Sequence, residues 1–302
     1  MKVKIKVPAT SANLGPGFDV FGLAVGLHNE FLVEEAQDFE IVIKGLNSLP
    51  KNKENLFYQS FVYPFEKLKE ITPQVRIEMN LGIPQGRGFG SSATAVVGGL
   101  LAANAFLHNH FSFEELLPMA VELERGKHPD NVTPALFGGL VIVTSKKDAK
   151  LTYIKIPFPQ DLKAVYFVPD FAMDTIAGRK LMPTHYHKND VVFNTGRVAL
   201  FLAALQSGNY HFLGTAMEDR IHQPARTKVF PLMPQIIDAA LSGGAYGAAL
   251  SGGGSSIIAL AGHRFKAIAK KMAEAAAEGN ISGSTLVLDV TNTGSEVKLI
   301  EL

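Results

Sequence analysis

Hydrophobic and polar residues alternate from the second residue of the chain, which predicts a half-buried strand over residues 2–7. Short β-branched segments bounded by turn residues predict more strands further along. Two apolar segments on either side of a serine- and glycine-rich loop predict a strand pair. The strands predicted after the first are 41–44, 75–79, 140–144, 164–168, 246–250, 256–260 and a final one at 285–290.

Longer segments rich in Ala and Leu predict helices. One covers 91–107 and opens on two serines. Another covers 113–125, with Ser112 as its N-cap and Glu115 placed to complete a capping box. The remaining predicted helices are 173–181, 191–206, 211–217, 232–241 and 264–278.

The order of these elements predicts an α+β fold with helices on one face of a mainly antiparallel sheet. The chain has 302 residues, enough for one large or two ordinary domains. The polar segment 145–150 is the predicted boundary, which gives domains 1–150 and 151–302.

Composition narrows the function. Hydrophobic residues make up 47% and charged residues 19%, as in a globular protein, and the net charge is +1. So small a charge offers no basic surface, so we expect neither nucleic acid nor a membrane as partner. Glycines interrupt the uncharged stretch 239–262, which makes it a poor membrane-spanning helix. There is no Cys, which excludes disulfides, thiolate zinc sites and a cysteine nucleophile; we expect a cytoplasmic protein.

The sequence IPQGRGFGSSAT, at 83–94, is the first of three glycine-rich segments to consider. No Lys-Ser or Lys-Thr follows Gly90, so it is not a P-loop, and Ser91 stands where a dinucleotide fingerprint needs its third glycine. A backbone nest at a helix N-terminus remains, and such a nest favours phosphate. A tight turn with a serine cap is the alternative.

The other two segments are 8–19 and 251–256. The first contains small polar residues and offers Asn13 and Asp19 as hydrogen-bonding groups, but it also fits a turn-rich loop. The second allows close approach of a backbone or ligand, and equally fits a simple hairpin loop.

In this order and at these distances, the three segments resemble the three motifs of the GHMP small-molecule kinases. Within that superfamily the chain resembles the homoserine kinase family over nearly its whole length. The sequences that carry the resemblance are VPATSANLGPGFDVFGLA, IPQGRGFGSSAT, HPDNVTPALFGGL, RIHQPAR and GAALSGGGSS. The sequence departs from the family pattern at Phe89, where Leu is usual, and at Ser255, where proline is common. We expect local repacking around Phe89 and a looser loop at Ser255.

The resemblance implies a two-domain fold, with a ribosomal-protein-S5-like α/β domain followed by a ferredoxin-like α+β sandwich. It also implies transfer of the γ-phosphoryl of ATP to the side-chain hydroxyl of L-homoserine, with Mg²⁺, on the path to threonine. Magnesium would be held by Ser92 and Glu124, with Glu122 as the fallback. The residues implied for ATP are Pro84, Gln85, Gly86, Arg87, Gly88, Phe89, Gly90, Ser91, Ser92, Ala93 and Thr94, and the third motif contributes Gly252, Gly253 and Gly254.

For the amino-acid substrate, the resemblance implies a carboxylate site formed by Arg179 and Arg226, whose guanidinium geometry suits the task. The residues implied for the ammonium and hydroxyl groups are Asn13, Asp19, His128 and Asp130. Asn131 stands where related enzymes carry a catalytic aspartate. Because Asn cannot act as a base at neutral pH, we expect direct attack by the substrate hydroxyl. Asn131 would orient the transition state, while a phosphate oxygen or solvent takes the proton.

Two alternatives stay open: a GHMP kinase for another alcohol, and a non-catalytic nucleotide-binding protein. The two arginines favour an amino-acid substrate, since an uncharged sugar needs no carboxylate site. A homodimer is possible. Four histidines form weak candidate zinc pairs, namely His108 with His110 and His185 with His187. Asn194 and Arg197 share a predicted helix, and Arg197 is a candidate for supporting the site.

Overall fold

A computed structural model describes residues 1–44, 49–124, 128–148 and 150–300, with only the backbone at 175 and 176. The strands are β1 (Lys2–Asn13), β2 (Gly17–Glu35), β3 (Glu40–Lys44), β4 (Val75–Leu81), β5 (Leu140–Ser145), β6 (Leu151–Ile156), β7 (Lys163–Pro169), β8 (Gly247–Leu250), β9 (Ile257–Ala261), β10 (Gly283–Asp289) and β11 (Glu296–Leu299). The helices are α1 (Leu56–Leu68), α2 (Ser91–Phe106), α3 (Phe113–Leu123), α4 (Pro129–Phe137), α5 (Thr175–Lys180), α6 (Lys188–Ser207), α7 (Leu213–Ala216), α8 (Gln223–Arg226), α9 (Met233–Ser242) and α10 (Phe265–Glu278).

The first sheet has seven strands in the order β11-β1-β2-β4-β3, with β5 on β2 and β6 on β5. The alternation at the start of the chain explains its core face: Val3, Ile5 and Val7 are fully buried, whereas Lys4 pairs with Glu30 on the other face. Helices α1 and α2 pack together on the core face, and α2 is apolar all round because it lies between α1 and the sheet.

The second sheet has four antiparallel strands in the order β10-β7-β9-β8, and α9 and α10 cover one face. Strand, helix, two strands, helix and strand follow each other along the chain, with helices α5 to α9 between β7 and β8. This is the ferredoxin-like arrangement, and the predicted α+β fold is confirmed.

The sequence patterns left six elements unpredicted: β2, α1, α4, β6, α8 and β11. Strand 285–290 was expected to be the last, which is wrong because β11 follows it and pairs with β1. Segment 8–19 is not all loop, since its first half extends β1 and pairs with β2. One strand pair, β3 with β4, is parallel.

Two predicted helices also have different bounds. The helix predicted at 211–217 is a 3₁₀ turn, Tyr210–Phe212, followed by the short α7. The helix predicted at 113–125 ends at Leu123 with its capping box in place, and residue 125 lies outside the described residues. The polar segment 145–150 connects the antiparallel strands β5 and β6, in which Ser145 pairs with Leu151.

The domain division at residue 150 stays a prediction, although β6 and β11 join the first sheet from beyond it. Where the two sheets approach each other, Ser11 Oγ lies 2.8 Å from Ser251 Oγ, and Ser251 Oγ donates to the carbonyl oxygen of Gly88 at 2.6 Å. These bonds join all three glycine-rich segments. No helix within the described ranges has the length and apolarity needed to cross a bilayer.

Candidate active site

The central glycine segment forms a loop of left-handed residues at the N-terminus of α2. Gly86, Gly88 and Gly90 have φ angles of 64°, 80° and 63°. A Cβ at Gly90 would lie 2.0 Å from Thr10 Oγ1, and one at Gly88 would lie 2.1 Å from the Ser251 carbonyl oxygen. Glycine is therefore required here by both conformation and space. The first backbone N–H groups of a helix have no partner within the helix, so the geometry at the start of α2 favours an anion.

Backbone hydrogen bonds from neighbouring segments hold this loop. The N–H of Thr10 donates to Phe89 O at 3.0 Å, and the N–H of Ser256 donates to Arg87 O at 3.1 Å. Phe89 is buried, with its ring centroid 4.7 Å from that of Tyr166. Ser255 is also buried, and its Oγ donates to Phe171 O at 2.6 Å, which anchors the third segment to the chain before α5.

A cavity of about 750 Å³ lies between the glycine loop, the N-terminus of α4 and α5. It brings together most of the residues implied by the resemblance: Asn13, Asp19, Gly86, Gly88, Phe89, Gly90, Ser91, Ser92, Ala93, Glu124, His128, Asp130, Asn131, Arg179, Arg226, Gly252 and Gly253. A second cavity of about 330 Å³ shares Gly86, Ser91 and Ser92 with it and adds Gln85.

Four implied residues line neither cavity: Pro84, Arg87, Thr94 and Gly254. Thr94 instead supports the start of α2, because its Oγ1 donates to Ser91 O at 2.8 Å and accepts from Asn29 Nδ2 at 2.8 Å. The Arg87 side chain donates to the backbone carbonyl of Asp170. The resemblance did not single out Ala12, Phe18, Met173, Asp174 and Lys180, which also line the larger cavity.

Ser92 and Glu124 bring two oxygen atoms together at one side of this cavity. Ser92, in the first turn of α2, donates from Oγ to Glu124 Oε2 at 3.3 Å, and Glu124 directly follows α3. The fallback Glu122 is outside the cavity and accepts from the hydroxyl of Tyr63. The described residues contain no group of three or more His, Asp or Glu arranged as metal ligands, at the histidine pairs or elsewhere.

Opposite charges face each other in the larger cavity. Arg179 Nη1 donates to Asp19 Oδ2 at 2.9 Å, and a second bond joins Nη2 to Oδ1. His128 Nδ1 lies 3.7 Å from Asp19 Oδ1. Asp19 has a left-handed backbone, and its N–H donates to Asn13 Oδ1 at 3.1 Å, while Asn13 Nδ2 donates to Gly252 O at 2.9 Å. Asn13 therefore ties the first and third segments together beside the ion pair.

Arg226 reaches the same cavity from the end of α8, and it is only 1% exposed. Burial lowers the pKa of its guanidinium, and the nearby charge of Arg179 lowers it further. Its Nη1 forms a hydrogen bond with Nδ1 of His222, one helical turn earlier. His222 is a functional candidate that the resemblance did not single out, although its i, i+4 spacing to Arg226 was visible in RIHQPAR.

The N-terminus of α4 carries Asp130 and Asn131. Asp130 is 3% exposed; burial raises its pKa to about 7, and the charge of Asp19 contributes in the same direction. Asn131 Oδ1 accepts from Thr10 Oγ1 at 2.8 Å, and Asn131 Nδ2 lies 3.4 Å from Asp130 Oδ1. Burial also lowers the pKa of the neighbouring His128. This group of polar side chains lies directly beside the glycine loop, since a Cβ at Gly90 would be 3.0 Å from Asn131 Oδ1.

Asn194 and Arg197, which were predicted to share a helix, differ in position. Asn194 is buried; its Nδ2 donates to Asp219 Oδ1 at 2.7 Å and to Pro16 O at 3.3 Å, so it connects the first glycine segment to the segment before α8. Arg197 instead pairs with Glu218 at 2.7 Å, away from the cavity lining.

Two family models and several curated relatives match this chain. The GHMP kinases N terminal domain matches residues 55–139, and the GHMP kinases C terminal domain matches residues 201–278. A homoserine kinase from Persephonella marina is 40% identical over the full length of both chains, and one from Synechococcus is 36% identical over 99% of this chain and 98% of its own.

Among solved structures, homoserine kinase from Cytophaga hutchinsonii superposes with a TM-score of 0.89 at 32% identity, covering 98% of this chain and 97% of its own. A mevalonate kinase at 18% identity has a TM-score of 0.70, which shows a shared fold. Full-length identity at this level, together with both domain matches, means that the chain belongs to the GHMP kinases and, within them, to the homoserine kinase family.

Proposed function

We propose that this protein transfers the γ-phosphoryl group of ATP to the side-chain hydroxyl of L-homoserine. The observation that carries the proposal is one cavity lined both by the glycine nest at the start of α2 and by two arginines with two carboxylates, Asp19 and Asp130. An amino acid bears both a carboxylate and an ammonium group, so its site needs both charges. An uncharged sugar or a simple alcohol needs neither.

The phosphates of ATP would bind the backbone N–H groups of the glycine loop and the first turn of α2. The second cavity opens beside the same residues and is lined by apolar side chains such as Phe31, Leu56 and Met79, with Asn55 among them. These surroundings suit a nucleoside. Because no lysine stands in the loop, the helix N-terminus and the peptide groups have to supply much of the charge stabilisation.

The chemistry of Ser92 and Glu124 fits Mg²⁺, since a hydroxyl and a carboxylate oxygen are hard ligands that leave other positions for phosphate oxygens and water. We propose that these two residues hold the ion. When bound, Mg²⁺ offsets negative charge on the phosphates and on the transferring group.

The substrate carboxylate would bind Arg179 and Arg226, and its ammonium group would bind Asp19, with Asp130 close by. Arg179 and Asp19 pair with each other, so bound homoserine would replace one internal ion pair by two ion pairs to the substrate. Asn13 and His128 then border the side chain that carries the hydroxyl.

In the transfer, the substrate hydroxyl oxygen forms a bond to the γ-phosphorus while the bond from that phosphorus to the oxygen of the departing ADP breaks. Asn131 cannot take the hydroxyl proton, so this proton goes to a phosphoryl oxygen or to solvent. The Thr10 hydroxyl donates to Asn131 Oδ1. One N–H of Asn131 Nδ2 points towards Asp130 Oδ1, and the other would donate to the transferring phosphoryl group.

A coupled assay of ADP release tests the proposal, with Mg²⁺ present and homoserine, serine, mevalonate and galactose as acceptors. We expect release that depends on homoserine. Release with mevalonate or galactose instead would indicate a GHMP kinase for another alcohol, and no release with any acceptor would indicate a nucleotide-binding protein.

A further inference from the structure

His222 is buried next to the proposed carboxylate site without lining the cavity. It caps α8, and Arg226 ends the same short helix, so the two side chains lie one turn apart. Arg226 is the more deeply buried of the two arginines that line the cavity, so the groups packed around it determine its orientation. Within the described part of the chain, nothing accepts a hydrogen bond from Arg226 Nε.

The two ring nitrogens of His222 have different partners, and these fix its tautomer. Nε2 lies 2.8 Å from the carbonyl oxygen of Gly15, which can only accept, so Nε2 carries the proton. Nδ1 faces Nη1 of Arg226, which can only donate, so Nδ1 must present its lone pair. His222 is therefore neutral with one proton, and it links the first glycine segment to the arginine.

The surroundings of His222 favour this neutral form. Burial lowers the pKa of His222 to about 4, opposed by Asp219 and assisted by Arg226. Asp219 Oδ2 is 3.7 Å from Nε2, but the aspartate is already bound by the N–H groups of Ile221, His222 and Gln223 and by Asn194. The carboxylate holds the turn before α8 in place and leaves the imidazole to Gly15 and Arg226.

A stacked aromatic ring fixes the orientation of the His222 imidazole plane. Phe18 stacks on His222 with ring centroids 5.3 Å apart and an interplanar angle of 22°. The guanidinium carbons of Arg179 and Arg226 lie 4.8 and 5.7 Å from the centroid of the same phenyl ring. Phe18 thus contacts His222 and both arginines.

We propose that His222 is a positioning residue: its Nδ1 fixes the Arg226 guanidinium in the orientation that binds the substrate carboxylate. This inference rests on the proposed function, in which Arg226 binds that carboxylate. His222 touches neither substrate nor phosphate, and it acts through Arg226 alone.

A matched set of variants tests the proposal. His222→Asn can place an amide oxygen near the position of Nδ1, His222→Gln places its amide near Nε2 instead, and exposed His211→Gln is the control. For His222→Gln we expect KM for homoserine to rise about 10- to 100-fold, as for loss of a hydrogen bond to a charged group, with kcat and KM for ATP changed less than about threefold. His222→Asn should stay within about threefold of the parent for homoserine.

An acceptor without the carboxylate separates positioning from general damage. With 3-aminopropan-1-ol, which is homoserine without its carboxylate, parent and His222→Gln should have the same kcat/KM. Equal losses with both acceptors, a parallel loss of kcat and ATP affinity, or identical behaviour of the Asn and Gln variants would overturn the inference. A failure of the proposed function is distinguishable, because the parent protein itself would then release no ADP with homoserine.

A measurement on the parent protein tests the inference even if the His222 variants do not fold. Long-range ¹H–¹⁵N NMR, with His222 assigned through its own Cα and Cβ, should show a neutral ring with the proton on Nε2 from pH 5.5 to 8.5. Its Nδ1 shift should move on addition of homoserine but not of 3-aminopropan-1-ol. A proton on Nδ1, an imidazolium, or an Nδ1 shift that ignores homoserine would contradict the proposal.

Discussion

Arg179 and Asp19 satisfy each other's charges across the proposed substrate site through a two-point ion pair, with Nη1 2.9 Å from Oδ2. They come from α5 and from the start of β2, 160 residues apart in the chain. Both side chains are about one third exposed, so solvent screens the pair and its net contribution to stability is small. The pair is therefore suited to exchange its partners for a zwitterionic ligand.

Arg179→Lys should raise KM for homoserine roughly 10- to 50-fold with a smaller effect on kcat, because lysine cannot form the two-point contact of a guanidinium. Steady-state kinetics at saturating ATP measures this. Arg197→Lys, on the surface and paired with Glu218, is the matched control and should behave like the parent. An unchanged KM in Arg179→Lys would remove this residue from the substrate site.

Glu124→Gln should shift the Mg²⁺ dependence of activity to at least about tenfold higher concentration, because an amide is a weaker ligand than a carboxylate for a hard cation. Glu122→Gln, two residues earlier and outside the cavity, is the control. Titration of ADP release with Mg²⁺ at fixed ATP distinguishes them. Should Glu122→Gln show the shift and Glu124→Gln none, the assignment of the ligand would be reversed.

Gly90→Ala should abolish ATP binding and destabilise the protein by roughly 1–3 kcal/mol, since the new Cβ meets Thr10 Oγ1 at 2.0 Å on a left-handed backbone. The control is Gly196→Ala, at an exposed position in α6 with no atom within 4 Å of the new Cβ. That change should stabilise the helix by about 0.5–1 kcal/mol. Thermal unfolding and calorimetric titration with an ATP analogue measure both, and ATP affinity retained in Gly90→Ala would contradict the nest.

These glycines also show what the sequence could reveal about the molecule. The nest and the helix after it were predictable, because left-handed glycines and serines at a helix start are local signals. The α+β order of strands and helices in the second half followed from short apolar strands between longer helical segments, whereas the ferredoxin-like assignment was implied by the resemblance. Strand β2 was not predictable in the same way: it is long, its first part pairs with β1 and β5 and its second with β1 and β4, and glycines and His28 break its alternation.

Non-local contacts explain the remaining differences. Strand β11 consists of four exposed residues that pair with β1, nearly 300 residues away in the chain. No local sequence pattern predicts this strand. The role of Asn13 as a bridge to Gly252, and that of His222 beside Gly15, likewise arise only when distant segments meet. The resemblance supplied most of the residues that line the cavity, whereas residues that act through one of them, such as His222 through Arg226, were found only in the structure.

Asn131→Ala should lower kcat about 100-fold while leaving KM for ATP and homoserine within about threefold, because the amide acts on the transferring phosphoryl group. Thr10→Val removes the hydroxyl that accounts for the amide orientation and should lower kcat by about tenfold. Pre-steady-state quench flow separates the chemical step from ADP release. Near-normal turnover in Asn131→Ala would rule out the proposed role.

Asp130 predicts a pH dependence of stability. Its pKa rises from 3.8 to about 7 on folding, so between these values the folded protein binds a proton that the unfolded chain has released. The free energy of unfolding should therefore fall by at most about 4 kcal/mol in total as pH rises from about 4 to 7. Above pH 7 this contribution of Asp130 stays constant. Asp130→Asn should remove this slope in urea unfolding measured across that range; a slope that persists would assign it to another group.

The same carboxylate predicts how homoserine use depends on pH. The substrate ammonium group favours ionised Asp130, so kcat/KM for homoserine should rise as pH increases towards about 7 and then stay level, with a proton released on binding. KM for ATP should not show this pH dependence. The Asp130→Asn variant should have a low kcat/KM for homoserine that does not change with pH in this way. If kcat, measured at saturating homoserine, showed the same pH dependence, Asp130 would be titrating in the ternary complex. Its proton would then belong to the transfer step and not to substrate binding.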